Sequence, residues 1–303
     1  MNIFCIGQSA YDITVPIEGA IEENRKYRVL EYFECGGGPA FNAACLCGKW
    51  GANVELISRI GSDEYGKKLK ETLQKYHVGT EYLIPCPGMK TPHSMIIAGK
   101  AKGSRTIFNF PGTREKTEYH IPEKKADVIL SDGHEPEISL AMIAANPQAI
   151  SVADAGTFRE STYKVAQKTD YLICSEDFAR QYTGKGIHLE EWDICEEIFR
   201  QIEQINVRHA VVTLGENGLL YRKKDGSLGH MPACQVKAVD STGAGDIFHG
   251  AFAYGLTRKW NMEKNLIQST CASGLSVQKI GGLTSIPEFE EVQKKCNKYK
   301  KRT

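Results

Sequence analysis

A single acid stands beside a cluster of small residues in VDSTGAGDIFHGAF, residues 239–252. The acid is Asp246, and the small residues directly before it are Gly243, Ala244 and Gly245. Apolar residues then recur at helical spacing, which predicts a helix that begins here with Ser241 or Thr242 as its cap. The exposed N–H groups of such a helix start favour a phosphate, which a neighbouring carboxylate would repel. The carboxylate is useful if it takes a proton from a nucleophile attacking phosphorus, so the segment predicts phosphoryl transfer.

A second candidate site lies in ECGGGPAFNAACLCGKWGANVELISRIGSDEYG, residues 34–66. Its three glycines allow a ligand to approach the backbone closely, and Asn42 presents both a donor and an acceptor. Sugar hydroxyls need both kinds of partner. Asp12, which follows the first predicted strand, adds a carboxylate that can hold two hydroxyls. The alternative is a flexible connector, with Asn42 at a helix start and Asp12 in a turn.

A third segment, VVTLGENGLLY at residues 211–221, runs from a predicted strand into two glycines. It is typical of a nucleotide passing over exposed backbone and equally of a hairpin turn. The eight histidines show no metal-ligand spacing. His249 follows Asp246 by three residues on nearly the same helix face, and we interpret it as a packed histidine.

Short apolar runs alternate with helical patterns along most of the chain, which predicts an α/β fold with a parallel sheet. The runs end on Gly, Asp, Ser or Glu, where an open α/β sheet places its ligands. The predicted strands are NIFCIG, NVELISRIG, ADVILSDG, AISVADAG, DYLICSE and HAVVTLGENG. The predicted helices span 39–50, 63–76, 137–145, 158–168, 176–183, 190–205, 244–257, 261–279 and 288–299.

Two segments, 12–35 and 90–113, alternate like exposed strands, and the second is predicted to be a hairpin with KAKGS at its turn. We expect them to form a small β lid over a site, the alternative being an edge extension of the main sheet. The core domain would then comprise 1–11, 36–89 and 114–303. An exposed lid edge also favours a homodimer through the lid, which sedimentation velocity would detect.

Bulk properties exclude several classes of function. The 303 residues carry a formal net charge of +1 with acids and bases evenly mixed, which gives no sign of a nucleic-acid partner. No apolar run is long enough for a membrane span. The ten cysteines are scattered without a CxxC pair, which predicts reduced thiols and a cytoplasmic protein.

The segments GGGPAFNAACLCGKWGANVELISRIGSDEYG and DSTGAGDIFHGAFAYGL resemble the two signature motifs of the ribokinase-like (PfkB) carbohydrate kinases, in order and separation as well. TLGENGLLY falls where that family keeps its nucleotide loop. The similarity covers almost the whole chain and is greatest to the fructokinase and sulfofructose kinase branches, through GGGPA, GAGDIFHGA and SRTIFNFPG. It implies a three-layer α/β/α fold with a β-sheet lid, and ATP-dependent transfer to a sugar hydroxyl with Mg²⁺.

The resemblance also implies roles for individual residues. Asp246 would be the general base, and the backbone of Gly243, Ala244 and Gly245 the anion hole. The implied sugar ligands are Asp12, Gly37, Gly38 and Asn42. The implied nucleotide contacts are Thr213, Gly215 and Gly218. Asp240 and Thr242, with backbone around Gly282 in GGLTS, would correspond to the K⁺ loop of many members.

Two departures from the family pattern concern the metal and the sugar. Many members organise Mg²⁺ through an Asn-x-x-Glu motif, where this chain has Ser175 and Phe178, leaving Glu176 as the nearest acid. The sugar-site lysine of some ribokinases is Pro39 here, and the first-strand asparagine is Ala10. These differences argue against a close ribokinase.

The substrate is expected to be fructose or a related ketose or pentose. An anionic sugar, such as a sugar phosphate or sulfosugar, is the alternative if four polar residues converge on its tail. These are Lys26, Arg105, Asn109 and His134. A nucleoside kinase shares the same motifs, and Phe108 and Phe110 on the lid do not exclude it. A catalytically silent sugar-binding regulator would not need the acid after Gly-Ala-Gly.

Overall fold

The computed structural model describes residues 1–19, 21–99, 104–112, 119–206 and 208–300. Its strands, in chain order, are β1 (Asn2–Ile6), β2 (Ala10–Ile17), β3 (Phe33–Gly37), β4 (Asn53–Gly61), β5 (Leu83–Cys86), β6 (His93–Gly99), β7 (Ser104–Phe110), β8 (Val128–Ser131), β9 (Ile150–Ala155), β10 (Tyr171–Ser175), β11 (His209–Thr213), β12 (Leu219–Arg222) and β13 (Leu228–Met231). The main sheet has the order β13-β12-β11-β10-β9-β8-β1-β4-β5. All of its neighbours pair in parallel except β11 with β12 and β12 with β13.

Helices cover both faces of this sheet. They are α1 (Pro39–Lys49), α2 (Glu64–Lys75), α3 (Pro136–Ala145), α4 (Glu160–Ala166), α5 (Glu176–Thr183), α6 (Trp192–Ile205), α7 (Ala244–Thr257), α8 (Met262–Ser276) and α9 (Phe289–Tyr299). Alternate residues of one strand enter different cores: Ile3 and Cys5 pack with α1 and α7, whereas Phe4 and Ile6 pack with α3. Since successive side chains point to opposite faces, this alternation produces the predicted three layers.

The six strands predicted from apolar runs are all present, and each predicted helix exists with ends shifted by no more than a few residues. The sequence interpretation missed β5, β12 and β13 as strands. Each spans only four residues, too few for a clear period-two pattern. In addition, β5 contains Pro85, which weakens a strand signal but is tolerated at this sheet edge.

A second, four-stranded sheet has the order β3-β2-β6-β7. The predicted hairpin of β6 and β7 is confirmed by their antiparallel pairing, while its turn at 100–103 lies outside the described residues. Residues 12–35 are predicted to alternate as strands with polar turns; the segment contains most of β2, which ends at Ile17, and the first residues of β3, which begins at Phe33. The described residues between these two strands are largely exposed, and scattered apolar residues among them resemble the polar–apolar alternation of a strand. The use of this small sheet as a lid, the division of the chain into core and lid, and a homodimer formed through the lid remain predictions.

The ten cysteines all lie in the described part of the chain and are free thiols, nine of them buried. Among the described residues, no helix combines the length and the apolar character needed to cross a bilayer. Both findings agree with the scattered cysteines and mixed polarity of the sequence.

The helices α1 and α7 approach each other closely at Gly250. A Cβ at this position would lie 2.9 Å from the Cα and carbonyl oxygen of Ala43. The carbonyl of Gly250 also accepts a hydrogen bond from the Cys47 thiol, 3.3 Å away. Because the obstructing atoms are backbone, this crossing tolerates no side chain without moving a helix.

Replacing Gly250 by alanine should therefore lower the free energy of unfolding by about 1–3 kcal/mol, the usual cost of overpacking a core. Urea denaturation followed by circular dichroism measures the change. Gly19→Ala is the matched control, because a Cβ at Gly19 meets no atom within 4 Å. Equal stability of the two variants would show that the helices separate freely.

Candidate active site

The start of α7 is formed by a glycine in the left-handed region. Gly243 is the N-cap with φ of +74°, a conformation that strains any side chain. The prediction that Ser241 or Thr242 caps this helix is wrong, because Gly243 occupies the N-cap position. The Thr242 hydroxyl donates to Asp240 over 2.7 Å. Since glycine has no side chain, the N-cap residue itself offers no acceptor to the first N–H groups of α7, which suits an anion hole.

The Asp246 carboxylate lies directly behind this helix start. It accepts a 2.7 Å hydrogen bond from Nδ2 of Asn42, and the residue is half-buried. Loss of surrounding water raises the pKa of Asp246 to about 6, with a further rise from the charge of Asp154 and an opposing effect of Asn42. Such a carboxylate is ionised at neutral pH yet more basic than an exposed aspartate. One residue before it, a Cβ on Gly245 would meet no atom within 4 Å.

Asn42 joins the two halves of the site. Its Nδ2 would lie 3.4 Å from a Cβ on Gly243 and 3.2 Å from one on Gly282, so the amide lies between these turns. The residue is 4% exposed, and its Oδ1 is buried without a hydrogen-bond partner among the described residues. A buried acceptor without a donor is costly, so this oxygen suits the hydroxyl of a ligand.

The predicted sugar residues meet where β3 runs into α1. A Cβ on Gly37 would lie 2.3 Å from Oδ2 of Asp12, so only glycine leaves room for that carboxylate. Burial raises the pKa of Asp12, and a hydrogen bond from Ser94 partly offsets the rise. Gly38 has φ of +99°, and a Cβ there would lie 2.5 Å from the carbonyl oxygen of Gln8. The glycine run therefore permits close packing and does not serve only as a flexible connector.

Asp132, which the sequence interpretation missed, ties three segments together at the end of β8. Its carboxylate accepts from the backbone N–H groups of Gln8 at 2.8 Å, Ala40 at 3.2 Å and His134 at 2.9 Å. Burial alone would raise the pKa of Asp132, but the charge of His134 and these donors hold it below its usual value. The signal available in the sequence was an acid directly after the apolar run ADVILS.

Asp154 and His249 form a second buried pair that the sequence interpretation did not connect. Asp154 is 7% exposed in β9, and burial together with the charge of Asp132 raises its pKa to about 7. His249 is packed, as expected, at 4% exposed. Its Nδ1 nevertheless lies 3.3 Å from Oδ2 of Asp154 and 2.7 Å from the carbonyl oxygen of Gly245.

Asp240 connects the turn before α7 to the segment 281–285. One carboxylate oxygen accepts from Thr242 N at 2.9 Å, and the other accepts from Gly281 N at 2.9 Å. No group of three or more His, Cys, Asp or Glu side chains in the described residues has metal-binding geometry. The predicted metal role of Glu176, Asp240 and Thr242 therefore remains a prediction, with Asp240 already engaged in joining two loops.

The predicted nucleotide segment is a hairpin turn in its backbone. A 3₁₀ turn at Gly215–Asn217 joins antiparallel β11 and β12, followed by Gly218 with φ of +91°. A Cβ on Gly218 would lie only 2.0 Å from the carbonyl oxygen of Met231. Thr213, at the end of β11, donates to the Cys174 carbonyl over 3.3 Å. A nucleotide contact at Thr213, Gly215 and Gly218 remains a prediction.

The residues that replace Asn-x-x-Glu have local structural tasks. The Ser175 hydroxyl caps α5 by accepting from Phe178 N at 3.1 Å, and it donates to the Gly156 carbonyl at 2.7 Å. Phe178 is fully buried in the core beside α5 and α6. Glu176 is half-buried in the first turn of α5.

The four residues proposed for an anionic tail have different surroundings. Lys26 is exposed in the segment between β2 and β3. His134 Nε2 lies 2.7 Å from Nη1 of Arg159, and its Nδ1 lies 3.1 Å from Oδ1 of Asp132. The described contacts therefore do not join Lys26 and His134 into one cation cluster.

The other two lie on β7. Asn109 pairs with Ser94, which pairs with Asp12, so these three share one face of the small sheet. Arg105 pairs with Ala98 through its backbone, and its side chain lies outside what the structure describes.

The sequence model of the pfkB family carbohydrate kinases matches residues 1–288. The chain belongs to this family. A carbohydrate kinase transfers a phosphoryl group, so the chain is a phosphotransferase. A ribokinase from Staphylococcus aureus (strain COL) is 27% identical over 302 residues, which cover 96% of this chain and 98% of that protein. A nucleoside kinase from Methanocaldococcus jannaschii is 22% identical over 308 residues, covering 99% and 98%.

Solved structures of the pfkB family share the fold. Ribokinase from Thermotoga maritima has a TM-score of 0.80 at 26% identity, with 97% of this chain and 99% of that chain covered. Arabidopsis thaliana ribokinase complexed with ribose and ATP has a TM-score of 0.81 at 22% identity, with 97% and 98% covered. These findings confirm the family and fold predicted from the motifs. Nearness to the fructokinase and sulfofructose kinase branches remains a prediction.

With Asp246 as the predicted general base, we expect kcat/KM to fall about tenfold per pH unit below pH 6, because a general base must be ionised and burial raises the pKa of Asp246 to about 6. Initial rates from pH 5 to 9 give the profile. Asn42→Ala removes the hydrogen bond that lowers this pKa, so its acid limb should move to higher pH. An acid limb near pH 4 in the unmodified enzyme would contradict the raised pKa.

Proposed function

We propose that the chain is an ATP-dependent kinase of a neutral sugar, fructose or a related ketose or pentose. The observation that carries this proposal is the pairing of a half-buried carboxylate, Asp246, with a helix start whose N-cap is Gly243, three residues before it. A binding protein needs the helix start for an anion but gains nothing from the adjacent acid. A kinase needs both, since one group takes a proton and the other holds the phosphoryl group.

In the proposed reaction, a sugar hydroxyl lies between Asp246 and the γ-phosphate of ATP. The carboxylate takes the hydroxyl proton while the sugar oxygen bonds to phosphorus and the bond to the bridging oxygen of ADP breaks. The N–H groups of Gly243, Ala244 and Gly245 bind the oxygens of the transferring group. Most of the rate enhancement then comes from positioning and fixed dipoles, because phosphoryl transfer needs little covalent assistance.

Asp12 and Asn42 are the proposed sugar ligands, with Gly37, which leaves room for the Asp12 carboxylate, and Gly38, the N-cap of α1, as further contacts. The Asp12 carboxylate accepts from hydroxyls, and the buried Oδ1 of Asn42 accepts from one more. The nucleotide would extend from the α7 start over Thr213, Gly215 and Gly218. This arrangement puts the sugar on the β3–α1 side of the phosphate.

Mg²⁺ would neutralise charge on the ATP phosphates. We propose that phosphates and water supply most of its ligands, with Glu176, the acid next in sequence to Ser175, as the protein ligand. K⁺ would bind near Asp240 and Gly282, where two loops are already joined by the Asp240 carboxylate.

A neutral substrate is favoured over an anionic one by the charges around the site. Asp12 and Asp246 belong to the proposed site, the charges of Asp154 and Asp132 act on Asp246, and His134 and Arg159 contact Asp132. Lys26 is exposed on a loop. An anionic sugar tail would meet repulsion from the carboxylates without a described cation aimed at it.

Asp246→Asn should reduce kcat by about 10²–10⁴-fold, the usual contribution of a general base, while the KM for sugar changes little. Coupled-enzyme detection of ADP measures turnover, and isothermal titration measures sugar binding. The isosteric change keeps an oxygen that can accept from Asn42. Turnover within a few-fold of the unmodified enzyme would remove Asp246 from the base role.

A nucleoside kinase is the second candidate, and one feature of the small sheet favours it. Thr14 pairs with both Phe33 and Ile96, and Ile96 pairs with Ile107. Since residues two apart share a face, this row lies on the side of Asp12. Phe33 and Ile107 are about half exposed. Exposed apolar side chains beside a sugar ligand suit a nucleobase.

A panel of fructose, ribose, deoxyribose, sugar phosphates, sulfosugars and nucleosides, assayed for ATP consumption, separates these candidates. We expect a neutral sugar to give the highest kcat/KM, with Phe33→Ala altering it less than threefold. If nucleosides are the substrates, Phe33→Ala should raise their KM about tenfold, the loss of one stacking contact. Met95→Ala, exposed on the opposite face, is the control. No consumption with any compound would favour a silent regulator.

A further inference from the structure

Both nitrogens of the His249 ring face hydrogen-bond acceptors. Nδ1 lies 2.7 Å from the carbonyl oxygen of Gly245, and Nε2 lies 3.2 Å from the carbonyl oxygen of Ile173. A backbone carbonyl only accepts, so each contact requires N–H on the ring. Neutral imidazole carries a single N–H. The two contacts are satisfied together only by imidazolium.

A negative partner for such an imidazolium is present. Oδ2 of Asp154 lies 3.3 Å from Nδ1 of His249, and the two side chains are 9% and 5% exposed. Burial lowers the pKa of His249 below its usual value, and the two carbonyl contacts and the charge of Asp246 offset this only in part. Against that effect stands the geometry, in which an acceptor faces each ring nitrogen and favours the charged ring. Burial also raises the pKa of Asp154 to about 7. If Asp154 and His249 share one proton, the pair has no net charge. Neither side chain is then left as an isolated buried charge, which would cost free energy.

The surrounding elements supply the other charges that act on the pair. Asp132, at the end of β8, raises the pKa of both Asp154 and Asp246. His134, which follows β8, and Arg159, which precedes α4, lower the pKa of Asp154. From α1, Asn42 contributes only a neutral amide, and β10 contributes the Ile173 carbonyl. On α7, His249 is the only side chain that can carry a positive charge beside Asp154 and Asp246.

We propose that His249 is a positioning residue that, as an imidazolium paired with Asp154, fixes the first turn of α7 and keeps the Asp246 carboxylate charged. The inference rests on the proposed function, in which Asp246 is the base. His249 contacts the Gly245 carbonyl, and Gly245 supplies one N–H of the proposed anion hole. The same ring therefore orients the anion hole and offsets the charge of Asp154 next to Asp246.

Charge-changing variants should move the acid limb of the kcat/KM profile in opposite directions. His249→Asn keeps a donor for the Gly245 carbonyl but leaves Asp154 uncompensated, so the limb should shift up on the order of 1 pH unit. Asp154→Asn removes a negative charge beside Asp246, so the limb should shift down by a similar amount. The double variant carries neither charge and should return close to the unmodified profile.

A purely structural role predicts a different result. Phe252→Leu, in the same helix and fully buried, is the control: it should lower the unfolding temperature and leave the acid limb in place. If His249→Asn behaves like Phe252→Leu, or if Asp154→Asn leaves the limb unmoved, the proposal is overturned. If Asp246→Asn is inactive but the acid limbs of the His249 and Asp154 variants do not move, this inference is rejected and the proposed function stands. If Asp246→Asn is active, the proposed function itself is rejected.

A second readout does not depend on activity. In protein labelled with ¹⁵N-histidine, both ring nitrogens of His249 should show N–H shifts at pH 7, and Asp154→Asn should convert the ring to a single N–H. A neutral tautomer in the unmodified protein would refute the imidazolium. Because the measurement uses the folded protein alone, it applies even if a variant loses turnover.

Discussion

The site depends on holding an ionised carboxylate at Asp246 where most surrounding water is excluded. An uncompensated charge in such a position costs several kcal/mol, so the structure must supply donors and opposite charges around it. Asn42 supplies one donor from α1, across a helix pair held in close contact at Gly250 and Ala43. The position of that carboxylate therefore depends on a backbone contact one helical turn away from it.

The same requirement explains the acids at the sheet edge. Strands β9, β8 and β1 are neighbours, and their carboxyl ends bring Asp154, Asp132 and Gln8 together. Asp132 is satisfied by backbone N–H groups, whereas Asp154 depends on a histidine from α7. Asp132, Asp154 and Asp246 are separated in sequence but thus form one electrostatic unit, in which the charge of one raises the pKa of another.

The small sheet adds a face with two zones. The row through Asp12, Ser94 and Asn109 is polar, and the next row out contains Phe33 and Ile107. Polar groups near the phosphate and apolar groups farther away suit a substrate whose reacting end is hydroxylated. The extent of the apolar zone is what distinguishes a free sugar from a nucleoside among the proposed substrates.

The sequence by itself determined the parallel α/β architecture, because buried strands and amphipathic helices have local periods. It also determined the α7 start, since Gly243 and Asp246 lie only three residues apart in the chain. Its cap was misassigned because Ser241 and Thr242 are typical caps, whereas the Thr242 hydroxyl donates to Asp240, a carboxylate that the fold also ties to Gly281. The roles of Asp132 and of the His249–Asp154 contact were decided by the fold alone. Strand order and helix crossing set those distances, and neither leaves a local pattern in the sequence.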